Sequence, residues 1–137
     1  MSGPDLSRRT LLGGAVVVGG AAALSACSAS SPSTPTAGGP TAGETLVATA
    51  DVEVGGGVIL DAPAVVVTQP AQGEFHAFSS ICTHAGCPVS EVVDNEIVCT
   101  CHGSRYSATD GSVVNGPAPA PLPVVAVQVS GGEVVTA

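Results

Sequence analysis

Two short stretches constrain this chain more than any other part of it: "CTHAGC" at 82–87 and "CTCHGS" at 99–104. They hold four of its five cysteines and two of its three histidines. Thiolate and imidazole donors suit soft and borderline transition metals. Any fold must therefore bring two loops to one place. A tetrahedral centre takes four protein ligands, and six donors are on offer. One choice takes every cysteine, as C-x4-C and C-x-C, and leaves both histidines over. The other takes Cys82, His84, Cys99 and His102, one thiolate and one imidazole per stretch. Cys87 and Cys101 are then left, again one per stretch, and two such thiols can form a disulfide that clamps the loops. The second choice leaves no donor idle.

The sequence around these stretches reads as strands and turns from Glu44 to the end. "TLVATADVEV" is a β-branched alternating run broken by Gly55–Gly57. "GVIL", "AVVVTQ" and "EFHAFSSI" follow as short strand candidates. "EVVDNEIVC" predicts a hairpin turning at Asp94-Asn95, and Asp110-Gly111 marks another turn. "PVVAVQVSGGEVVTA" predicts two strands joined at Gly131-Gly132. Four prolines lie within 117–123, so "NGPAPAPLPVV" reads as a rigid extended loop rather than a central strand. No stretch after the N-terminal segment sustains a 3.6-residue period. The expected fold is all-β, a small antiparallel sandwich or barrel that presents the two cysteine–histidine stretches as a subdomain of two loops. With three aromatic residues (Phe75, Phe78, Tyr106), its core must be built mainly from valine.

With its flanks "FHAFSSICTHAGC" and "NGPAPAPLP", the pair of boxes resembles the Rieske [2Fe-2S] family over roughly Thr45 to Thr136. In that family two cysteines hold one iron and two histidines the other. The resemblance implies that Cys82 and Cys99 hold one iron, that His84 and His102 hold the other, and that Cys87 and Cys101 form the disulfide of the high-potential branch. It also implies cluster-tuning hydroxyls: Ser104 toward a bridging sulfide and Tyr106 toward the sulfur of Cys82. Neutral imidazoles in place of two thiolates leave the oxidised centre uncharged overall, which makes it easier to reduce. The family's potential falls as pH rises through loss of a second imidazole proton, and the same is expected here. One departure is Thr100, where proline commonly separates the two cysteines of the second box. It implies a looser loop with every ligand kept.

The first 27 residues read as a targeting segment. "SRRTLL", with Arg8 and Arg9, resembles a twin-arginine export signal, although Leu11 and Gly13 depart from its fullest form. The apolar run from Leu11 to Ala26 is short for a membrane span, which needs about 20 residues. It ends in "LSAC", which resembles a lipobox and implies lipidation at Cys27; an uncleaved N-terminal anchor helix is the alternative. Residues 28–43 are a Ser/Thr/Pro/Ala/Gly linker, and 44–137 form the cluster domain. Together these imply a bacterial protein tethered at the extracytoplasmic face of the cell membrane.

Composition narrows the partners. The formal charge is −8, with 11 acidic and 3 basic residues and no lysine. A nucleic-acid partner is excluded, since no basic stripe exists to meet phosphates. The expected function is one-electron transfer to or from a redox partner protein: a cytochrome, a quinol enzyme or an oxidoreductase subunit. Alternatives are a subunit of a quinol–cytochrome or arsenite-oxidase-type complex, an oxygenase ferredoxin, and a zinc-binding structural module. Cys87, Cys101 and the export signal argue against the ferredoxin. Zinc accounts for neither Ser104 nor Tyr106. No activated nucleophile is visible, so the chain is read as a component of an oxidoreductase system rather than an independent catalyst. His76 is read as structural. Arg105, the one basic residue beyond the signal, is open between pairing with an acid and docking a partner.

Overall fold

The computed structural model describes residues 40–137. Arg8, Arg9, Cys27 and the linker up to residue 39 lie outside the described residues. The chain order is β1 (Thr45–Ala48), a 3-10 turn (Thr49–Asp51), β2 (Gly57–Leu60), β3 (Val65–Ala71), β4 (Glu74–Ser79), β5 (Glu91–Val93), β6 (Glu96–Cys99), β7 (Ser104–Ser107), β8 (Val113–Asn115), β9 (Val124–Val125), β10 (Val127–Ser130) and β11 (Glu133–Thr136). They form three antiparallel sheets, ordered β1-β11-β10, β2-β3-β4-β9 and β5-β6-β7-β8. Among the described residues no helix is long and apolar enough to cross a membrane.

The sheet containing β3 lies between two cores. Successive side chains of a strand point to opposite faces. Val65 and Val67 of β3 join Ala77 of β4, Leu46, Val52 and Val134 in one cluster. Val66 and Phe78 face the other way, into a second cluster with Cys82, Ile97, Cys99, Tyr106 and Leu122. A strand covered on both faces needs an unbroken apolar run, and "VVV" provides it. Thr68, fully buried, ties this sheet to the loop-bearing one by donating its hydroxyl to the Ala108 carbonyl at 2.7 Å.

The expected turns form where their chemistry allows. Asp94 and Asn95 both have positive φ, 53° and 62°, as a two-residue hairpin with the right twist requires. Gly131 and Gly132 do the same between β10 and β11, at 59° and 84°.

Three strand readings need correction. The run from Thr45 stops at Ala48, because Thr49 gives both its N–H and its hydroxyl to the Gly132 carbonyl and the chain turns there. "PVVAVQV" is two strands rather than one. β9 pairs with β4, and β10 crosses to pair with β11. β3 continues past the expected end through Pro70 to Ala71, and the register slips between Thr68 and Ala71, an irregularity that accommodates a residue without an N–H. At the front, Gly43, assigned to the linker, gives its N–H to the Thr136 carbonyl next to the bond from Glu44 to Thr136 Oγ1.

Gly57 sets how closely β2 approaches its neighbours. A Cβ there would lie 2.5 Å from the Val67 carbonyl oxygen and 2.9 Å from Cγ2 of Val92 on β5. Gly57→Ala should therefore cost about 1–3 kcal/mol, the usual penalty for overpacking. A urea titration should show it as a lower midpoint with an unchanged slope.

Candidate metal centre

Both cysteine–histidine stretches are loops closed by strand pairing. The second is the turn of the β6–β7 hairpin, in which Cys99 and Ser104 face each other as the last paired residues. The first lies between β4 and β5 and is pinched by a bridge between Ile81 and Pro88. Each loop folds back in the same way. Gly86 donates its N–H to the Cys82 carbonyl and Gly103 to the Cys99 carbonyl, both at 3.0 Å. Both glycines have positive φ, 76° and 84°, a conformation that a Cβ would strain.

These turns sort the four candidate ligands into two layers. Cys82 and Cys99 are free thiols and buried. His84 and His102 stand outside them, exposed, with their Nδ1 atoms 3.1 Å apart and their rings at 81°. Two imidazole nitrogens at that separation can share one cation at the about 2.0–2.1 Å reach usual for a first-row metal such as zinc. The sequence placed its histidines at unequal offsets, two residues after Cys82 and three after Cys99. The folded loops nonetheless bring them edge to face.

The environment of the sulfurs is asymmetric. Burial pushes the Cys82 thiol up, but hydrogen bonds from the Tyr106 hydroxyl, the His84 backbone, Cys99 and Ser104 outweigh it, and the thiol lies below its ordinary range. Burial pushes Cys99 up. Its neighbour Cys82 adds to this, while backbone N–H groups of Cys101 and His102 oppose it. Tyr106 is fully buried, with its oxygen 3.1 Å from Cys82 Sγ. Burial first, and then the bond to Cys82, push the phenol up and keep it protonated as a donor. Strand alternation explains the placement: Ser104 and Tyr106 of β7 point inward, and Arg105 between them points out. The Ser104 oxygen accepts the Ala118 N–H at 3.1 Å, so its own proton is free to donate.

The loops are fastened to each other and to the proline-rich segment. Cys87 and Cys101 are joined by a disulfide. Beside it, Ser90 Oγ accepts the Thr100 N–H at 3.2 Å and meets Thr100 Oγ1 at 2.7 Å. The N–H and hydroxyl of Thr100 both make bonds that a proline could not, which offsets the missing ring that pointed to a looser loop. Asn115 donates to the carbonyls of Gly103 and Gly116, and Thr83 donates its hydroxyl to the Ala120 carbonyl at 2.6 Å. Sequence reasoning missed Thr83, Ser90 and Asn115. None of the three carries a local signal. Arg105 pairs with Glu96 at 2.9 Å across the hairpin. His76 bonds Glu74 at 2.7 Å and stacks on Phe78, a structural role.

Among the described residues, no three His, Cys, Asp or Glu side chains close on a single point as a mononuclear site requires. The donors come instead as a thiol pair and an imidazole pair. That set fits a two-iron group with one pair on each metal.

The Rieske [2Fe-2S] domain profile matches residues 45–126, more than half of the chain. The chain is 43% identical over 70 residues to the cytochrome b6-f complex iron-sulfur subunit of Synechococcus elongatus, covering 50% of this chain and 38% of that one. It is 36% identical over 157 aligned positions to the cytochrome b6-f complex iron-sulfur subunit 3 of a Nostoc species, covering 92% of this chain and 82% of that subunit. The match thus spans under two fifths of the first relative and most of the second. The Sphingomonas yanoikuyae B1 ferredoxin has the same fold, with a TM-score of 0.59 at 23% identity, over 69% of this chain and 96% of that one. The two boxes, the disulfide between them and the matched sequence lead to one conclusion: the chain belongs to the Rieske [2Fe-2S] family.

Proposed function

We propose that the chain carries single electrons on its [2Fe-2S] cluster, with Cys82 and Cys99 holding one iron and His84 and His102 the other. The observation that carries this reading is the layering, a buried thiol pair beneath an exposed imidazole pair. When bound, the group supplies reversible one-electron chemistry. The protein's own residues do the rest. The two loops hold the donors in place. The exposed histidines would hold the group from the surface side, where a partner could reach it. The buried core excludes water from the sulfur side. Hydroxyls of Tyr106 and Ser104 are oriented to donate toward sulfur, which favours the more negative, reduced form.

The deciding experiment is an optical spectrum of the purified protein with EPR after dithionite reduction. A visible spectrum that bleaches, with the rhombic signal of a histidine-ligated two-iron centre, is expected. A colourless, EPR-silent protein with stoichiometric zinc would overturn the reading in favour of a structural site. The cytochrome b6-f subunits among its relatives favour a second reading, in which the chain works as a subunit of a larger redox complex. Mild-detergent extraction followed by native electrophoresis separates the two: a carrier migrates alone and a subunit with its complex.

The N-terminal sequence supports a location at the extracytoplasmic membrane face, through export by the Arg8-Arg9 signal and a lipid on Cys27. The linker assigned to residues 28–43 would then join that anchor to the cluster domain. Cys27→Ser should move the protein from the membrane to the soluble fraction, or leave it as an unprocessed precursor of higher mass. Unchanged fractionation and unchanged mass would reject lipidation.

Two substitutions test the tuning roles. A hydrogen bond to a charged group is worth about 1.5–3 kcal/mol. For one electron that corresponds to about 60–130 mV. Tyr106→Phe and Ser104→Ala should each lower the midpoint by about that much while the cluster is retained. Voltammetry at fixed pH reads both. Ser90→Ala, which removes the acceptor of the Thr100 N–H, should cost about 0.5–1.5 kcal/mol of stability in a thermal melt.

A further inference from the structure

Thr83 has a part that its position in the first box does not announce. Its hydroxyl carries one proton. The Ala120 carbonyl, 2.6 Å away, can only accept, so it takes that proton. Toward Tyr106 the Thr83 oxygen is therefore an acceptor. Tyr106 receives the Thr83 backbone N–H at 3.1 Å and has one phenolic proton to give. Two acceptors stand at the same 3.1 Å from its oxygen, Cys82 Sγ and Thr83 Oγ1.

We infer that Thr83 is a positioning residue that competes with Cys82 for the phenolic proton of Tyr106, and so holds the site's reduction potential below the value that Tyr106 alone would set. The inference rests on the electron-carrier reading above. A hydrogen bond to a ligating sulfur favours the reduced form, and a bond shared with a neutral oxygen favours it less. The proline-rich segment controls the competition. As long as the Ala120 carbonyl holds the Thr83 proton, the lone pairs of Thr83 face Tyr106. Flanked by Pro119 and Pro121, Ala120 is exposed. A contact that moves its carbonyl would therefore reach the cluster through Thr83 and Tyr106.

The test is a set of midpoint potentials, measured by voltammetry on the cluster-loaded full chain, with thermal melts alongside. It compares wild type, Thr83→Val, Thr83→Ser, Tyr106→Phe and the double variant Thr83→Val/Tyr106→Phe. Thr83→Val removes the competing acceptor and keeps the shape, so its potential should shift upward, opposite in sign to Tyr106→Phe. Thr83→Ser should restore the wild-type value. The double variant should match Tyr106→Phe, because the disputed proton is gone. An unmoved or lowered potential in Thr83→Val overturns the inference, even if its melting temperature falls, since Thr83 would then only fasten the proline-rich segment. An equal upward shift with and without the Tyr106 hydroxyl also overturns it. Should Thr83→Val fail to hold the cluster, Thr83→Ala is read by the same criteria. A wild-type chain with neither redox wave nor visible spectrum overturns the electron-carrier reading itself. A normal wild-type wave with the wrong sign in Thr83→Val overturns only the role of Thr83.

Discussion

The loop end of this domain is organised around one buried phenol. Tyr106 reaches from the β6–β7 hairpin, which carries the second box, to the backbone of the first box and to the sulfur beside it. An unpaired hydroxyl at full burial would be costly. The phenol is satisfied by bonds to the first box, and the disulfide and the Ser90–Thr100 contact join the same two loops. Among the described residues, every buried side-chain nitrogen and oxygen has a partner. The network is complete, which is the condition under which buried polar groups rigidify a site rather than weaken it.

Burial and charge are divided along the same axis. Donors converge on the Cys82 sulfur and hold its thiol below the ordinary range, while burial pushes Cys99 up against the N–H groups of Cys101 and His102. The imidazoles of His84 and His102 are exposed, where desolvation matters least. Reversing the order would bury neutral rings and leave thiolates in solvent, open to oxidation. The pairing of Arg105 with Glu96 removes the one basic side chain beside the second box from any role toward the sulfurs.

The candidate ligands and the disulfide pair stood out in the sequence because their types are rare in so plain a chain and their spacing is tight. The hairpins at Asp94-Asn95 and Gly131-Gly132 were legible because few residues adopt positive φ. Other features depend on distant partners and leave no local mark. Nothing in "VVAV" says that the chain changes sheets at Ala126. It does so because Ala77 and Phe78 of β4 offer one edge and β11 the next. The Thr100 departure read as a loss, since the compensating oxygen of Ser90 is ten residues away. Thr83 was hidden by its company: flanked by two candidate ligands, it looked like a spacer, and its bonds run to residues 23 and 37 positions away.

The double coverage of β3 has a consequence for how the two halves of the domain can vary. Val65, Val66 and Val67 are adjacent in the chain, yet the middle one belongs to a different core from its neighbours. Changes to residues without shared partners tend to add independently, while changes within one packed cluster do not. Sequence neighbours on this strand are thus energetic strangers, and residues far apart, such as Val66 and Tyr106, are kin. The core that holds Leu46 and Val134 can drift in composition without disturbing the core that holds Cys82, Cys99 and Tyr106, provided each substitution keeps to its own face of a single strand.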